Sequence, residues 1–542
     1  MSDDMSNAVT APGSRDSEPP AIILLRRGMT GLIALWCLIL LAVWIPHYLT
    51  WPWYVDHEHF AILAQNWESG RRPYRDVFSF QFPGEIYVFW ILGKITGWCN
   101  TVAFYALDAA LVTSFGILLV IWGRRLSGHS LPGLIGFSSF LLYYLSLRFN
   151  ITAQREVQVA IAALFSVMIP AIWPGPGGRL ASAIAFGLAL LIRPQVVLLL
   201  PAILLAVDRS ARSPGDPWRK TLIAVLTWGS IAGLVFALGL LPLALNGILD
   251  DFWNSLQSMR LSSYNRKTSR GGILETLARL DPLSLPKNLL LATGIILVLL
   301  PWNRAEGPTR RFVPIVLAAA FGVAFYHAIS PNRYGYHTTP QVAVAAMAVT
   351  LVGAQLARGE TRPLVRLAVL GALFLLFGAR EKPRALDVLT PGDRTYGLSE
   401  SLHILRTGEL PLRPAVGVEE APSYSWPDAR AAILYLRDRV PPGVPVAPLL
   451  LESRTAIISA ARRPSALPAE GHDLAFTDNP SLMNRVITAL NTTDNCVVLW
   501  NPSTPLKKDP RFEPLWQAVR DRFEPEVRFG NFEIWRLRSP TE

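Results

Sequence analysis

The chain has 542 residues, 51% of them hydrophobic and only 17% charged, with a net charge of +11. A soluble domain carries roughly 25% charged residues, so this composition excludes an ordinary soluble protein. Three cysteines, Cys37, Cys99 and Cys496, exclude a disulfide framework and a cysteine metal site. The positive charge lacks an aromatic-interleaved basic patch, so it points to anionic lipid or a phosphate-bearing substrate and not to nucleic acid.

Residues 1–27 are polar and rich in Pro and Ser, ending in Arg26-Arg27. They read as a disordered cytoplasmic tail and not as a signal peptide, because the apolar stretch that follows is too long for an h-region. Crossing a bilayer takes about 20 apolar residues. Gly28–Val55, Leu126–Leu147, Val157–Gly178, Thr221–Leu249, Asn288–Asn303, Phe312–Asn332 and Tyr334–Ala357 contain no Asp, Glu, Lys or Arg, and Thr101–Gly123 carries only Asp108. Leu180–Val207 is interrupted by Arg193-Pro194, which predicts two short helices meeting at a break, and Leu367–Ala379 is short for a span. Ten or eleven spans are expected in a membrane domain over 28–379.

Starting inside, the tail and the loops at 124–125, 179, 208–220, 303–311 and 358–366 hold sixteen Lys/Arg, more than the longer opposite loops. The positive-inside rule then puts 50–100, 148–156, 246–287, 330–337 and the C-terminal block outside the cytoplasm. Within 380–542, Asp428–Val440 reads as an amphipathic helix and Cys496–Trp500 as a buried strand. Phe512–Phe523 is a second helix, and Val527–Leu537 turns at Gly530-Asn531. The expected fold class is an all-α polytopic membrane protein with a small C-terminal α/β domain. Asn150-Ile151-Thr152 and Asn491-Thr492-Thr493 are glycosylation sequons by pattern, with meaning only in a eukaryotic secretory route.

The chemistry is concentrated in the first outer loop, residues 50–100. Asp56 and Glu58 follow the first span directly, and Ala61, Ile62, Ala64 and Trp67 continue at helical spacing. Gly70, then Pro73-Tyr74-Arg75-Asp76, then Gln81-Phe82-Pro83-Gly84 lead into an apolar stretch from Ile86 to Trp98. A carboxylate at the membrane boundary can act as general base toward a hydroxyl, which is a poor nucleophile until its proton is being taken. Acidic residues also favour helix starts, so a solvated first turn is the competing reading. Asp56-His57-Glu58-His59 lacks the i, i+4 histidine pair of a zinc helix, and no metal or other cofactor is expected.

Asp-X-Glu after the first helix, Gly-X-X-Pro-Tyr-Arg-Asp, and Pro-Gly opening an apolar stretch together resemble the C-type glycosyltransferases. The likeness is to the bacterial branch that holds protein O-mannosyltransferases, the lipid A aminoarabinose transferase and rhizobial lipopolysaccharide core-sugar transferases. Its sharp part covers residues 54–98. The resemblance implies a transferase in the bacterial inner membrane that takes sugar from a polyprenyl-phosphate donor on the outer face and inverts its anomeric centre. The acceptor, a lipid, glycan or protein, stays open.

By the same resemblance Asp56 is the first-loop carboxylate that faces the acceptor, with Glu58 its companion. Tyr74, Arg75, Asp76 and Gln81 are further first-loop candidates. Many relatives carry a basic residue or histidine before a Pro-Pro pair; here the stretch reads Gln81-Phe82-Pro83-Gly84, so the donor phosphate needs other cations. Arg155, Arg193, Arg333 and His337 are the candidates, with Glu156 where relatives often have a second carboxylate and Tyr334 beside Arg333. Arginine can grip a phosphate through two parallel hydrogen bonds. An ionisable group inside an apolar stretch favours function for Arg193, with snorkelling as its alternative. Arg333 reads equally well as an interface anchor, and Arg266–Arg270 as a solvated loop. A lipid-linked-sugar transporter and a non-enzymatic scaffold are the rival classes. The first expects carboxylates deep in the helices, and only Asp108 qualifies.

Overall fold

Charge-free runs become helices because nothing else satisfies a backbone in lipid. The computed structural model describes residues 19–211, 216–261, 308–329, 338–358, 363–378, 384–418, 425–450, 457–469, 479–501 and 509–539. Helix α1 (Pro20–Tyr48) starts eight residues earlier than the expected tail boundary, with proline in its first turn and Arg26-Arg27 inside it. Proline suits that position because its missing N–H would be unpaired there anyway. Two helices of the first loop follow, α2 (Val55–Glu68) and α3 (Pro83–Thr96). Next come α4 (Thr101–Ser127), α5 (Leu131–Ser146), α6 (Arg155–Ile172) and α7 (Pro176–Ile192). The expected break at Arg193-Pro194 is present: a 3-10 turn, Pro194–Leu199, runs into α8 (Leu200–Ala211). Then follow α9 (Trp218–Leu245), α10 (Leu249–Leu261), α11 (Pro308–Ile329), α12 (Thr339–Arg358) and α13 (Pro363–Gly378).

Among the described residues seven helical stretches are long and apolar enough to cross a membrane: α1, α4, α6, Pro194–Ala211, α9, α11 and α12. Helices α5, α7 and α13 are apolar but shorter. The expected span Asn288–Asn303 lies outside the described residues. Of the seven long stretches α12 and α6 are the most enclosed, while α1 and α9 turn leucine rows outward, as a lipid-facing surface requires. Helices α4 and α5 touch through glycine, since a Cβ on Gly123 would stand 2.6 Å from the Gly133 backbone nitrogen. The chain is a polytopic helical membrane protein.

Beyond α13 the chain first straps back onto the bundle. Helix α14 (Leu398–Thr407) packs against α1, where buried His47 meets Ser401 Oγ at 2.8 Å and the Val416 carbonyl at 3.1 Å. Residues Ala385, Val388, Tyr396 and Val416 therefore belong to the membrane core. The α/β unit comes after them: α15 (Trp426–Arg439), β1 (Val446–Leu449), α16 (Pro480–Thr492), β2 (Val497–Trp500), α17 (Glu513–Arg522), β3 (Phe523–Phe529) and β4 (Phe532–Leu537). Strand order is β1-β2-β4-β3, with β1 parallel to β2 and the rest antiparallel. The β3–β4 hairpin turns at Gly530-Asn531 as expected, with Phe529 opposite Phe532 and Gly530 at φ 52°. Two apolar clusters line the two faces of this sheet. The unit sits on the first loop, since the Phe78 N–H donates to the Pro468 carbonyl at 2.6 Å and Arg71 reaches the Ser465 and Leu467 carbonyls.

Candidate active site

Helix α2 sends the four polar side chains of its first turn in different directions. Asp56 is half-buried, and no described residue bonds its carboxylate. His57 is buried: its Nδ1 accepts from the Tyr54 N–H at 3.3 Å and its Nε2 faces the Ala153 carbonyl at 3.1 Å. These two bonds select the neutral tautomer protonated on Nε2, and burial pushes the ring's pKa down to about 3. Glu58 is buried on another face and accepts from the Ser459 backbone N–H at 2.7 Å. It fastens the C-terminal unit to α2 and does not converge with Asp56. His59 faces Ser79 Oγ at 3.4 Å. Among the described residues no three His, Cys, Asp or Glu side chains converge on one point.

His57 also sets the next element. Ala153 sits at φ 56°, a region costly for a residue with a Cβ, and is held from both sides. Its N–H donates to Tyr144 Oη at 3.1 Å, and Tyr144 donates in turn to Asp108 Oδ2 at 2.5 Å, where Tyr48 also donates at 2.8 Å. Asp108 is thus fully buried between two tyrosines. The clamped turn opens α6, whose first two residues are Arg155 and Glu156.

Here the cations converge. The Arg193 guanidinium lies 2.6 Å from Glu156 Oε1 and donates to Tyr326 Oη at 2.7 Å, and Arg155 lies 3.6 Å from the same carboxylate oxygen. The Glu156 side chain is 1% exposed. Arg155 also covers the Phe60 ring at 5.5 Å. Phe60 is four residues after Asp56, hence one turn away on the same face of α2. Asp56 therefore looks out beside the cation cluster.

Helix α3 delivers a residue the sequence reading did not single out. A Cβ on Gly84 would come within 2.6 Å of the Leu191 backbone, so only glycine lets α3 start against the last turn of α7. That contact buries Glu85, whose Oε2 has no hydrogen-bond partner. Burial pushes its carboxyl up to about 8; Arg155 opposes the rise, and Glu156 and Asp108 add to it. Burial thus favours the neutral form of Glu85, and the Arg155 and Arg193 guanidinium groups both approach the Glu156 carboxylate. Beside the cluster a narrow apolar crevice of about 10 Å³ runs between α6, the Pro194 turn and α11, lined by Val159, Val196, Leu199, Val323 and Tyr326, with Glu156 on its wall.

The remaining first-loop candidates make a turn. Arg72 N donates to Asp76 Oδ2 at 2.7 Å, Tyr74 lies at φ 68° with its hydroxyl on the Gln81 carbonyl at 2.9 Å, and Arg75 pairs with Asp251 of α10 at 2.7 Å. Tyr74, Arg75, Asp76 and Gln81 thus shape the loop on which the C-terminal unit rests. Arg333, Tyr334, His337 and the Arg266–Arg270 run lie outside the described residues.

No protein-family model and no curated protein sequence matches the chain. By structure it is similar to ArnT from Cupriavidus metallidurans bound to undecaprenyl phosphate, with a TM-score of 0.51 and 14% identity over 94% of this chain and 99% of that one. It shares that fold. The first-loop resemblance implies the same fold. A weaker likeness, TM-score 0.41 and 10% identity, is to the Archaeoglobus fulgidus oligosaccharyltransferase in complex with zinc and sulfate, over 83% of this chain and 64% of that one. Tyr326, Phe60 and Glu85 escape the sequence reading; only Glu85 leaves a signal there, a carboxylate placed directly after Pro-Gly.

Proposed function

We propose that the chain is a membrane glycosyltransferase that moves a sugar from a polyprenyl-phosphate carrier to a hydroxyl acceptor on the outer face of the membrane. One observation carries the reading: the Arg155 and Arg193 guanidinium groups, gathered on Glu156, stand at the head of an apolar crevice. A carrier lipid has the complementary form, an anionic head on an apolar tail. The undecaprenyl phosphate bound to ArnT, a protein of the same fold, supports this class of donor.

The placement supports a single displacement. Asp56 takes the proton of the acceptor hydroxyl as its oxygen bonds to the anomeric carbon. The bond from that carbon to the phosphate oxygen breaks on the opposite side, and polyprenyl phosphate leaves with the electron pair. Arg155 and Arg193 stabilise the charge that develops on the leaving phosphate, inside a site where such charges act strongly. Neutral Glu85 can donate a hydrogen bond to the same group. One displacement inverts the anomeric centre.

Asp56→Asn tests the reading. A half-buried carboxylate with no partner contributes little to folding, whereas a general base contributes about 10²–10⁴-fold. Transfer from a polyprenyl-phosphate sugar should fall by that factor at unchanged yield. Full activity in the variant would remove Asp56 from the chemistry. Comparing the glycolipids and glycoproteins of a deletion strain by mass would identify sugar and acceptor.

A further inference from the structure

A second polar recess lies at the other end of α2, where the first loop meets α16. It is an open groove of about 600 Å³, lined by Arg71, Ser481, Asn484, Arg485, Thr488 and Thr492. Ser481, Asn484, Thr488 and Thr492 recur at three- and four-residue steps, so one face of α16 presents a row of hydroxyl and amide groups. The loop's two other arginines show what is unusual about Arg71 and Arg485. Arg72 has Asp76 at 3.3 Å, and Arg75 has Asp251 at 2.7 Å. Arg71 and Arg485 have no carboxylate among the described residues within ion-pair distance. Arg71 spends its donors on Asn66 Oδ1 and the Ser465 and Leu467 carbonyls, and Arg485 donates to the Arg75 carbonyl at 2.5 Å and the Asp76 carbonyl at 3.2 Å.

Neutral carbonyls fix both guanidinium groups in place and cancel neither charge. Four arginines against two aspartates leave two positive charges at this corner. The groups are close enough to feel each other: burial, and then the charge of Arg485, hold the Arg71 pKa below its usual value against the opposing pull of Asp76. Rigidly held like charges beside a wall of hydroxyl and amide donors form a built anion site with the lining that saccharides favour.

We infer that this groove binds an acidic saccharide, one bearing uronate or phosphate groups. By the rise of α2 it lies about 20 Å from Asp56, so on the transferase reading above it holds a distal part of the acceptor, several sugar units from the reacting hydroxyl.

Equilibrium binding of fluorescently labelled tetragalacturonate to the full chain in detergent tests the inference. The parent should bind it, at least tenfold more weakly at 300 mM than at 50 mM salt, and should not bind maltotetraose. The exposed double variant Asn484→Ala/Thr488→Val should bind at least fivefold more weakly at an unchanged melting temperature. Equal affinity for maltotetraose, or no change in the double variant, would overturn the assignment. Asp56→Asn should bind tetragalacturonate as the parent does; loss of binding there would also overturn it. If binding behaves as expected while no sugar transfer is found, the transferase reading falls and the saccharide site stands.

Discussion

Glu156→Gln isolates what the buried ion cluster does. The substitution keeps the shape of the side chain and removes the one carboxylate that lies 2.6 Å from Arg193 and 3.6 Å from Arg155. Both guanidinium groups are mostly enclosed, with side chains 17% and 12% exposed. Removing one partner of a buried pair costs about 3–5 kcal/mol, because an uncompensated charge stays behind. Unfolding in detergent, followed by the loss of tertiary signal, should show that decrease for Glu156→Gln. Undecaprenyl phosphate at a hundred times its Kd should then return about 2.7 kcal/mol, since a phosphate can take the place of the missing carboxylate. Glu156→Leu/Arg193→Met should be nearly as stable as the parent, yet should no longer be stabilised by the carrier. Arg193→Lys, which keeps the charge and loses the two-pronged grip, should fall between the parent and Arg193→Ala in donor use, with Arg193→Ala down more than tenfold. Equal stabilisation of the parent and of the Leu/Met pair by the carrier would refute the reasoning and leave Arg193 as a structural counter-ion.

Three further outcomes are expected. Glu58→Ala should leave the Ser459 N–H unpaired and cost about 1–3 kcal/mol, read as faster proteolytic release of the C-terminal unit, while turnover per folded molecule stays unchanged. Glu85 is raised to about 8 in the folded chain against about 4.3 unfolded, so its contribution to stability is complete below pH 4.3, falls as pH rises and is lost beyond 8. The melting temperature of the parent should accordingly decline from pH 5 to 8, and Glu85→Gln should flatten that slope. A phosphatase reporter fused after Glu542 should be active and one fused after Ala211 silent; the reverse pattern would put the first loop in the cytoplasm.

The membrane helices were legible because a bilayer demands what composition displays, an uncharged run of sufficient length. Their ends were less so. Arg26-Arg27 looked like the close of a polar tail, yet arginine stems can lie along a helix with their heads in water, and α1 begins at Pro20. Strand β1 has only four residues, with Pro448 among them and all four buried, so it offers no alternation to read. The hairpin at Gly530-Asn531 was legible because its turn chemistry is local.

The site divides along the same line. Asp56 and Arg193 could be singled out because a charge at or inside an apolar stretch is conspicuous one residue at a time. The cluster itself could not, because α2, α3, α6, α7 and α11 each contribute one or two residues and no spacing in the chain records their meeting. Glu85 shows why. At a helix start a carboxylate reads as a favourable first-turn acid; only the contact of Gly84 with the Leu191 backbone makes it a buried, protonated one. With α3 seated directly against the end of α7, Arg193 at that end and Arg155 on α6 meet on Glu156. A glycine at one helix start and an arginine at a helix break are therefore parts of one packing arrangement, which the sequence presents as separate features.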